Sequence, residues 1–429
     1  MNFVATNQVR GVLGVDTHQI PVPGGDCAII LLVDNPPMAQ RDINDPDFMY
    51  YIKQPLGDTH TDQKLGTVLR AVLLDGGHDA LGGNSSGSLA AQNILKTIND
   101  IQVAYHIANY PGEEGLKFDA WIVTHWDRDH YCGALHLFWD NTPHSVDGVQ
   151  QRNRFIRYDA NGNALTTLYC PTWTTYTLPH SDKKARGHHK ILRGTVENGA
   201  TRWSMYLPPR DKPRAILEYA EDDYSRMEFS GDFGKVVANS SDLLGLDFFT
   251  GRSFSAHPPG PAYGAINSAY RIRDVCERFR HGFDPDAPTY GLESYSLSAD
   301  ENVKYPVLLC VGAEGNVMGC KTVPITAGTG DNYVSIMVLL IWIPRIPDGP
   351  MHVSLFAGGD AHMATEDLVI DFLQGHCVEV IKAGHHGART STSANLLKSL
   401  QPNHFIISAG HEYGHPSRLS LSYSTASRW

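Results

Sequence analysis

The chain has little positive charge and no long hydrophobic run. Its 429 residues carry a formal net charge of −11, with 35 Lys and Arg against 46 Asp and Glu. Nucleic-acid binding usually depends on neutralising phosphates with basic side chains, so this balance disfavours long nucleic acid as a partner. The longest apolar run, residues 334–343, ends at a proline and falls well short of the roughly 20 residues that span a bilayer. It indicates a buried strand, and we expect no membrane segment.

Cysteines are few and irregularly placed. The seven cysteines include no CxxC pair and have no regular spacing, so they do not form the framework of a disulfide-stabilised secreted domain. The first residues lack the basic head and the continuous apolar segment of a secretory signal. We therefore expect a cytoplasmic protein, and the sequence leaves its oligomeric state open.

Apolar runs alternate with turn signals in the two outer thirds of the chain, which predicts two α/β halves. Strands are expected at residues 28–33, 70–74, 121–123, 334–343, 352–357, 378–381 and 404–408, and helices at 89–105, 366–373 and 393–400. The middle of the chain is richer in Pro, Gly and Tyr and has no clear periodicity. A structureless loop of that length would be unusual, so we expect it to form a cap or side lobe with elements of its own.

The strongest motif follows the expected strand 121–123. His125, Asp127, Asp129 and His130 stand in the spacing HxDxDH, and if the loop opens into a helix they can converge on two neighbouring cations. Unpaired carboxylates in a partly buried loop repel each other, and bound metal is the simplest remedy. Residue types that bind metals also follow two later expected strands. The strand at 352–357 leads into Gly-Gly-Asp360, and the strand at 378–381 leads into Gly-His385-His386-Gly.

These motifs resemble, in order, those of the metallo-β-lactamase superfamily. The similar branch contains the soluble hydrolase domain of DNA-uptake channel proteins (ComEC-like) and the bacterial phosphorylcholine esterases. The segments that carry the resemblance are GGDC at 24–27, LDGG at 74–77, THWDRDH at 124–130, NYVS at 332–335, GD at 359–360, KAGHHG at 382–387, and SAG with YGHP at 408–416. The resemblance implies a four-layer αββα sandwich, with its halves at 1–140 and 332–429 and a large insertion or cap at 141–331.

The resemblance also implies a dinuclear metal site. His125 and Asp127 would bind one ion, Asp129 and His130 the other, and Asp360 would bridge both. The wider superfamily takes another histidine from a central loop, where this chain offers no matching motif. His257, His188 and His189 are candidates for that ligand. The alternative that we favour is that His385 and His386 each serve one ion.

Further roles follow from position near these motifs. Asp75 is expected to orient a metal-binding histidine, which is a common requirement at such sites. Asp129 is a candidate catalytic residue as well as a ligand. On the loop after the last strand, Tyr413 and His415 are candidate catalytic groups and His411 a candidate substrate contact. Lys382 is a candidate substrate contact.

The ligand set predicts two divalent ions, with Zn²⁺ first and Mn²⁺ or Fe as alternatives because of the carboxylates. Such a pair generates a bridging hydroxide, so we expect a hydrolase. Phosphodiester hydrolysis of a small molecule or nucleotide is the leading hypothesis. The alternatives are hydrolysis of a small-molecule ester, lactone or amide, an iron-dependent oxidative reaction, and a metal-stabilised binding module without catalysis.

Overall fold

A computed structural model describes most of both outer thirds and separate pieces of the middle. The described residues are 2–6, 13–22, 24–34, 49–53, 66–78, 89–107, 115–139, 145–146, 149–150, 153–171, 191–197, 200–207, 225–228, 233–238, 240–254, 271–280, 304–320, 331–344, 349, 351–409 and 415–417. Among these residues, no helix is both long enough and apolar enough to cross a bilayer. The chain folds as a mixed α/β structure with two large mixed sheets.

The first sheet has eight strands, numbered here in chain order. They are β1 (Asn2–Thr6), β2 (Leu13–Gln19), β3 (Cys27–Asp34), β4 (Met49–Lys53), β5 (Thr67–Asp75), β6 (Ala120–Ile122), β9 (Thr167–Tyr169) and β13 (Lys235–Val237). The spatial order is β13-β9-β6-β5-β3-β2-β1-β4. Pairing is parallel from β5 through β6 and β9 to β13, and antiparallel elsewhere.

The second sheet also has eight strands. They are β14 (Leu246–Asp247), β15 (Arg252–Ser253), β16 (Lys304–Ala313), β17 (Asn316–Val317), β18 (Met337–Pro344), β19 (His352–Ala357), β20 (Val378–Lys382) and β21 (His404–Ile406). The order is β15-β14-β16-β18-β19-β20-β21, with β17 paired to β16. Pairing is parallel from β19 through β20 to β21, and antiparallel elsewhere. Both sheets therefore combine an antiparallel part with a parallel part.

Two smaller sheets and seven helices complete the described elements. The small sheets pair β7 (Ser145–Val146) with β8 (Val149–Gln150), and β10 (Ile191–Glu197) with β11 (Ala200–Leu207) and β12 (Ser225–Glu228). The helices are α1 (Leu89–Ala104), α2 (Arg128–Trp139), α3 (Ser240–Leu243), α4 (Ile272–Arg280), α5 (Met363–Glu366), α6 (Leu368–Leu373) and α7 (Ala394–Leu400), and residues Asp331–Val334 and Gly384–Gly387 form 3₁₀ turns.

Three apolar clusters bury both faces of each large sheet. Alternate residues of β3 and β18, such as Ile30 and Leu340, contribute to a cluster that both sheets share. The opposite face of the first sheet packs with α1 and α2 in a second cluster. The opposite face of the second sheet packs with α4, α6 and α7 in a third. All eight residues of β18 are buried, as expected for a strand with two covered faces.

Several elements agree with the sequence prediction and others shift. The strand predicted at 352–357 coincides with β19. The strand predicted at 334–343 begins only at Met337, because the preceding residues form a 3₁₀ turn. The helix predicted at 366–373 is divided into α5 and α6 at Asp367.

The middle third differs most from the expected organisation. Residues 141–331 were predicted to form a separate insertion, yet β9 and β13 belong to the first sheet and β14 to β17 belong to the second. Most of these strands are only two or three residues long, and such short segments carry no detectable periodicity. The strands β10, β11 and β12 form a sheet of their own that is separate from both large sheets.

Candidate metal centre

The candidate ligands gather at one edge because several strands end there. In the first sheet, β5 ends at Asp75 and β6 leads into the HxDxDH loop, while the antiparallel β3 begins beside Asp75. In the second sheet, the parallel strands β19 and β20 lead into Asp360 and the histidine pair. Carboxyl ends of neighbouring parallel strands lie at the same sheet edge, where sites are commonly assembled.

One group of ligand atoms surrounds what we call the deep position, formed by Asp129, His130, His386 and Asp360. His386 Nε2 lies 3.0 Å from Asp129 Oδ2 and 3.3 Å from His130 Nε2. His130 Nε2 lies 3.3 Å from Asp360 Oδ1. The side chains of His130, His386 and Asp360 are almost completely buried.

A second group surrounds what we call the open position, formed by His125, Asp127, His385 and the same Asp360. His125 Nε2 lies 3.5 Å from Asp127 Oδ2 and 3.6 Å from Asp360 Oδ2. His385 Nε2 also lies 3.6 Å from Asp360 Oδ2. The side chain of Asp127 is 45% exposed and that of His385 is 27% exposed, so this position faces solvent.

The structure thus brings together all seven residues that the sequence singles out as ligands. The histidine pair is distributed as one imidazole for each position. The other candidates for a central ligand, His257, His188 and His189, lie outside the described residues. Asp26 was not predicted as a ligand, but one carboxylate oxygen of Asp26 lies within 4.8 Å of the ligand atoms of His130, Asp360 and His386. This buried cluster could bind a metal ion.

The donor set fits a metal ion. His125 Nε2 is buried and has no hydrogen-bond partner within the described residues, so its lone pair is directed at the open position without a donor to satisfy it. Buried polar atoms are seldom left in that state, and an absent ion is a standard explanation. Imidazole nitrogens together with carboxylate oxygens are the ligands that zinc uses in proteins.

The backbone of the histidine pair is held in an uncommon conformation. His385 and His386 have positive φ values of 47° and 54°, in the left-handed region that non-glycine residues rarely adopt. The His385 amide donates a hydrogen bond to Gly359 O at 2.9 Å, which ties this turn to the Asp360 loop. Such conformations persist where the surroundings fix them, often at functional sites.

Opposite charges alternate through the centre. Burial disfavours the charge of Asp360, but His130, His125 and His386 outweigh burial and hold the pKa of Asp360 well below its usual range. Burial also opposes protonation of His386, but Asp26 and Asp360 raise its pKa to about 10. Imidazole must be neutral to bind a metal, so a cation competes with these protons for the same position.

Asp75 supports both histidines of the HxDxDH motif. Its Oδ2 lies 2.9 Å from His130 Nδ1, and its Oδ1 accepts hydrogen bonds from the Thr124 amide at 2.7 Å and the Thr124 hydroxyl at 2.9 Å. Thr124 Oγ1 in turn lies 3.3 Å from His125 Nδ1. The expected orienting role of Asp75 agrees with these contacts.

Asp26 and Lys382 form an ion pair behind the deep position. Lys382 Nζ donates to Asp26 Oδ2, and both side chains are buried. The Asp26 amide donates to Asp129 O at 3.1 Å, while His386 Nδ1 lies 2.9 Å from Ser408 O. Burial opposes both charges, but each partner offsets it, so the pKa of Asp26 is lowered and that of Lys382 is raised. The ammonium group of Lys382, which was a candidate substrate contact, donates a hydrogen bond to this carboxylate.

Glu366 lies under the two loops that carry the second-sheet ligands. A Cβ atom at Gly358 would lie 2.5 Å from Glu366 Oε1, and one at Gly384 would lie 2.4 Å from it, so the glycines make room for this side chain. Its Oε2 accepts a hydrogen bond from the Thr392 amide. Burial raises the pKa of Glu366 to about 8. No sequence pattern indicates this role, since a lone Glu in a helix is usually exposed.

The NYVS segment also supports the centre. Ser335 Oγ accepts a hydrogen bond from the Asp360 amide at 3.1 Å, and the Ile336 amide donates to Thr124 O at 2.9 Å. Asn332 Nδ2 lies 3.2 Å from His385 Nδ1. The motif therefore connects the loops that carry ligands from the two sheets.

Of the candidate groups on the last loop, only His415 is described. Its ring centroid lies 5.5 Å from that of His385 and 6.4 Å from that of His386. Partial burial and the charge of His386 lower its pKa. His411 and Tyr413 lie outside the described residues. His415 is thus beside the centre on the side of the histidine pair.

No family model, curated protein or solved structure matches the chain.

Proposed function

We propose that the chain is a metal-dependent hydrolase of the metallo-β-lactamase superfamily that binds two divalent ions. The observation that carries this proposal is the position of Asp360. Its carboxylate lies 3.6 Å from His125 and His385 on one side and 3.3 Å from His130 on the other. A carboxylate between two groups of ligands is suited to bridge the metal pair of a hydrolase.

The layers of the fold support the same assignment. One apolar cluster lies between the sheets, and the other two lie between a sheet and helices. This order is compatible with the αββα sandwich that the motifs imply, with the candidate centre at one edge. The free state of the described cysteines is consistent with a reducing, cytoplasmic setting.

We assign one ion to the deep position and one to the open position. The mixed nitrogen and oxygen ligands favour Zn²⁺, and the three carboxylates leave Mn²⁺ and Fe as alternatives. When bound, two such ions lower the pKa of a shared water molecule toward neutrality and stabilise negative charge on the attacked centre.

The chain's own residues orient the reactants. Asp129 directs Oδ2 at the deep position, and we assign its other oxygen to accept a hydrogen bond from the attacking water. His415 stands beside His385 and is partly exposed, so we assign it to donate a proton or hydrogen bond to the leaving oxygen. Nearby in the sequence, Tyr413 stays a candidate catalytic group and His411 a candidate substrate contact.

The proposed substrate is a small phosphodiester or nucleotide. The branch with the most similar motifs includes phosphodiester-cleaving enzymes, and paired ions suit the two charged oxygens of in-line displacement at phosphorus. The net charge of −11 disfavours long nucleic acid. Esters, lactones and amides of small molecules are the competing substrates, and a binding module without turnover is the competing role.

The test uses the purified full-length protein after its bound metals have been counted. The substrates are bis(p-nitrophenyl) phosphate and, in parallel, nitrophenyl esters and lactones. We expect two ions per chain and turnover of the phosphodiester that stops on chelation and returns with metal. Asp129→Ala should abolish turnover, whereas the matched control Asp100→Ala, on the exposed face of α1, should retain it.

Each other outcome identifies a competing role. Turnover of esters or lactones alone would overturn the substrate assignment and keep the hydrolase. Two bound ions without turnover of any substrate would support the binding module. A protein that binds no divalent ion would overturn the proposal as a whole.

A further inference from the structure

Thr124 has a position that the metal motif does not explain. Its side chain is buried, 2% exposed, between Asp75 and the two histidines of the HxDxDH motif. The hydroxyl lies 2.9 Å from each oxygen of Asp75 and 3.3 Å from Nδ1 of both His125 and His130. A single hydroxyl thus contacts a carboxylate and one imidazole from each ion position.

The number of protons fixes the direction of these bonds. An ionised carboxylate only accepts hydrogen bonds, so the one Thr124 hydroxyl proton points at Asp75. His130 Nδ1 lies 2.9 Å from Asp75 Oδ2, closer than to Thr124, so His130 donates directly to the carboxylate. The oxygen of Thr124 keeps lone pairs, and His125 Nδ1 lies within reach of one of them.

These directions give the two histidines different supports. His130, at the deep position, is held by Asp75 itself. His125, at the open position, is connected to Asp75 through Thr124, whose hydroxyl oxygen lies 3.3 Å from His125 Nδ1. A proton on Nδ1 leaves Nε2 as the metal-binding nitrogen, and a donor–acceptor pair of this kind fixes both tautomer and ring orientation.

We propose that Thr124 is a positioning residue that relays the Asp75 carboxylate to His125, and so controls binding at the open position without controlling the deep one. The inference rests on the proposed dinuclear site. It adds a residue to that site, and it explains how one buried carboxylate can orient imidazoles at two ion positions.

The test compares Thr124→Val with Thr124→Ser in the full-length protein. Valine has nearly the same shape and lacks the hydroxyl, whereas serine keeps it. Metal-free protein is titrated with Co²⁺ or Zn²⁺ against a chromophoric chelator, and Co²⁺ spectra report the geometry at each position. The loss of an outer hydrogen-bond partner typically weakens metal binding by about 10–100-fold.

The wild type and Thr124→Ser should bind two ions with similar affinities. Thr124→Val should bind one ion with nearly wild-type affinity and the other about 10–100-fold more weakly. If Thr124→Val bound both ions with wild-type affinity, the relay would be overturned. Equal weakening of the binding of both ions would overturn it as well. These outcomes are independent of turnover, so a protein that binds two ions without hydrolysis overturns the proposed function and leaves the relay standing.

A measurement on the wild type covers the case in which Thr124→Val does not fold. Two-bond ¹⁵N–¹H spectra of histidine-labelled, Zn²⁺-loaded protein report which ring nitrogen of each imidazole carries the proton, with His125→Gln used to assign the signal. His125 should carry it on Nδ1. A proton on Nε2 of His125 would overturn the relay.

Discussion

The deep and the open position, each proposed to bind one ion, share Asp360 and differ in their surroundings. The imidazoles of the deep position are buried and are held from behind by Asp75, Asp26 and Ser408. At the open position the side chain of Asp127 is 45% exposed, and the His385 ring lies within hydrogen-bond distance of the side chains of Asn332 and Thr390. The deep position is therefore held by buried partners, whereas the open position is accessible to solvent and, in the proposed function, to substrate.

Asp360→Asn should have the largest effect, because it removes the one carboxylate that both positions share. We expect the proposed turnover to fall by at least about 10³-fold, since the stabilisation from a metal pair is worth several kcal/mol. Metal analysis should show fewer than two ions per chain. The exposed substitution Asp100→Asn serves as control. If Asp360→Asn retained two tightly bound ions, the claim that both positions share Asp360 as a ligand would be contradicted.

Lys382→Met should destabilise the fold by about 3–5 kcal/mol, because it leaves the buried carboxylate of Asp26 without its partner. Denaturant unfolding of the two proteins measures the change. The matched control is Lys96→Met, since Lys96 pairs with Asp100 at 2.7 Å on an exposed face of α1. That pair should be worth less than about 1 kcal/mol. Equal effects of the two substitutions would show that the pair behind the deep position has no special importance.

Glu366→Gln should change how stability depends on pH. Burial raises the pKa of Glu366 from an ordinary 4.5 to about 8, so the folded protein keeps its proton while the unfolded chain ionises. This group therefore makes folding less favourable as pH rises from about 4.5 to about 8, by on the order of 5 kcal/mol. The variant should unfold at higher denaturant concentration than wild type at pH 8 and match it near pH 4. A constant difference across this range would contradict the raised pKa.

The variants His386→Ala and His385→Ala test the deep and the open position separately. We expect the difference in metal affinity between them to be the smallest of these effects. We expect His386→Ala to weaken the tighter ion and His385→Ala to weaken the looser one, with affinities about tenfold apart, or about 1.4 kcal/mol. Competition with a chelator measures both ions. If both variants lost the same ion, the assignment of one imidazole to each position would fail.

Much of the site could be predicted because its signals are local. The HxDxDH spacing, the Gly-Asp360 turn and the histidine pair each follow a recognisable apolar strand, and the structure gathers all of them at one edge. Asp26 was not predicted as a ligand and no role was predicted for Thr124 or Glu366, although Asp26 and Thr124 lie within the GGDC and THWDRDH segments. Each acts through a contact with a residue far away in the chain, as when Asp26 binds a lysine 356 positions later.

The same contrast applies to the sheets. The long, periodic strands β3, β5, β19 and β20 are recognisable from the sequence. The ten-residue β16 is buried at the middle of the second sheet, yet it lies within a stretch that we expected to form a separate lobe. A run of apolar residues is compatible with more than one partner, and only pairing with β14 and β18 decides its sheet.

Composition and spacing alone predicted a mixed α/β fold and an array of imidazoles and carboxylates that follow its strands. Tertiary structure decided which imidazole joins which position, and it turned Lys382 from a candidate substrate contact into the partner of Asp26. The physical reason is range. Strand and turn patterns arise between neighbours in the chain, whereas the choice between ion pair, ligand and substrate contact depends on the charges that folding brings within a few ångströms.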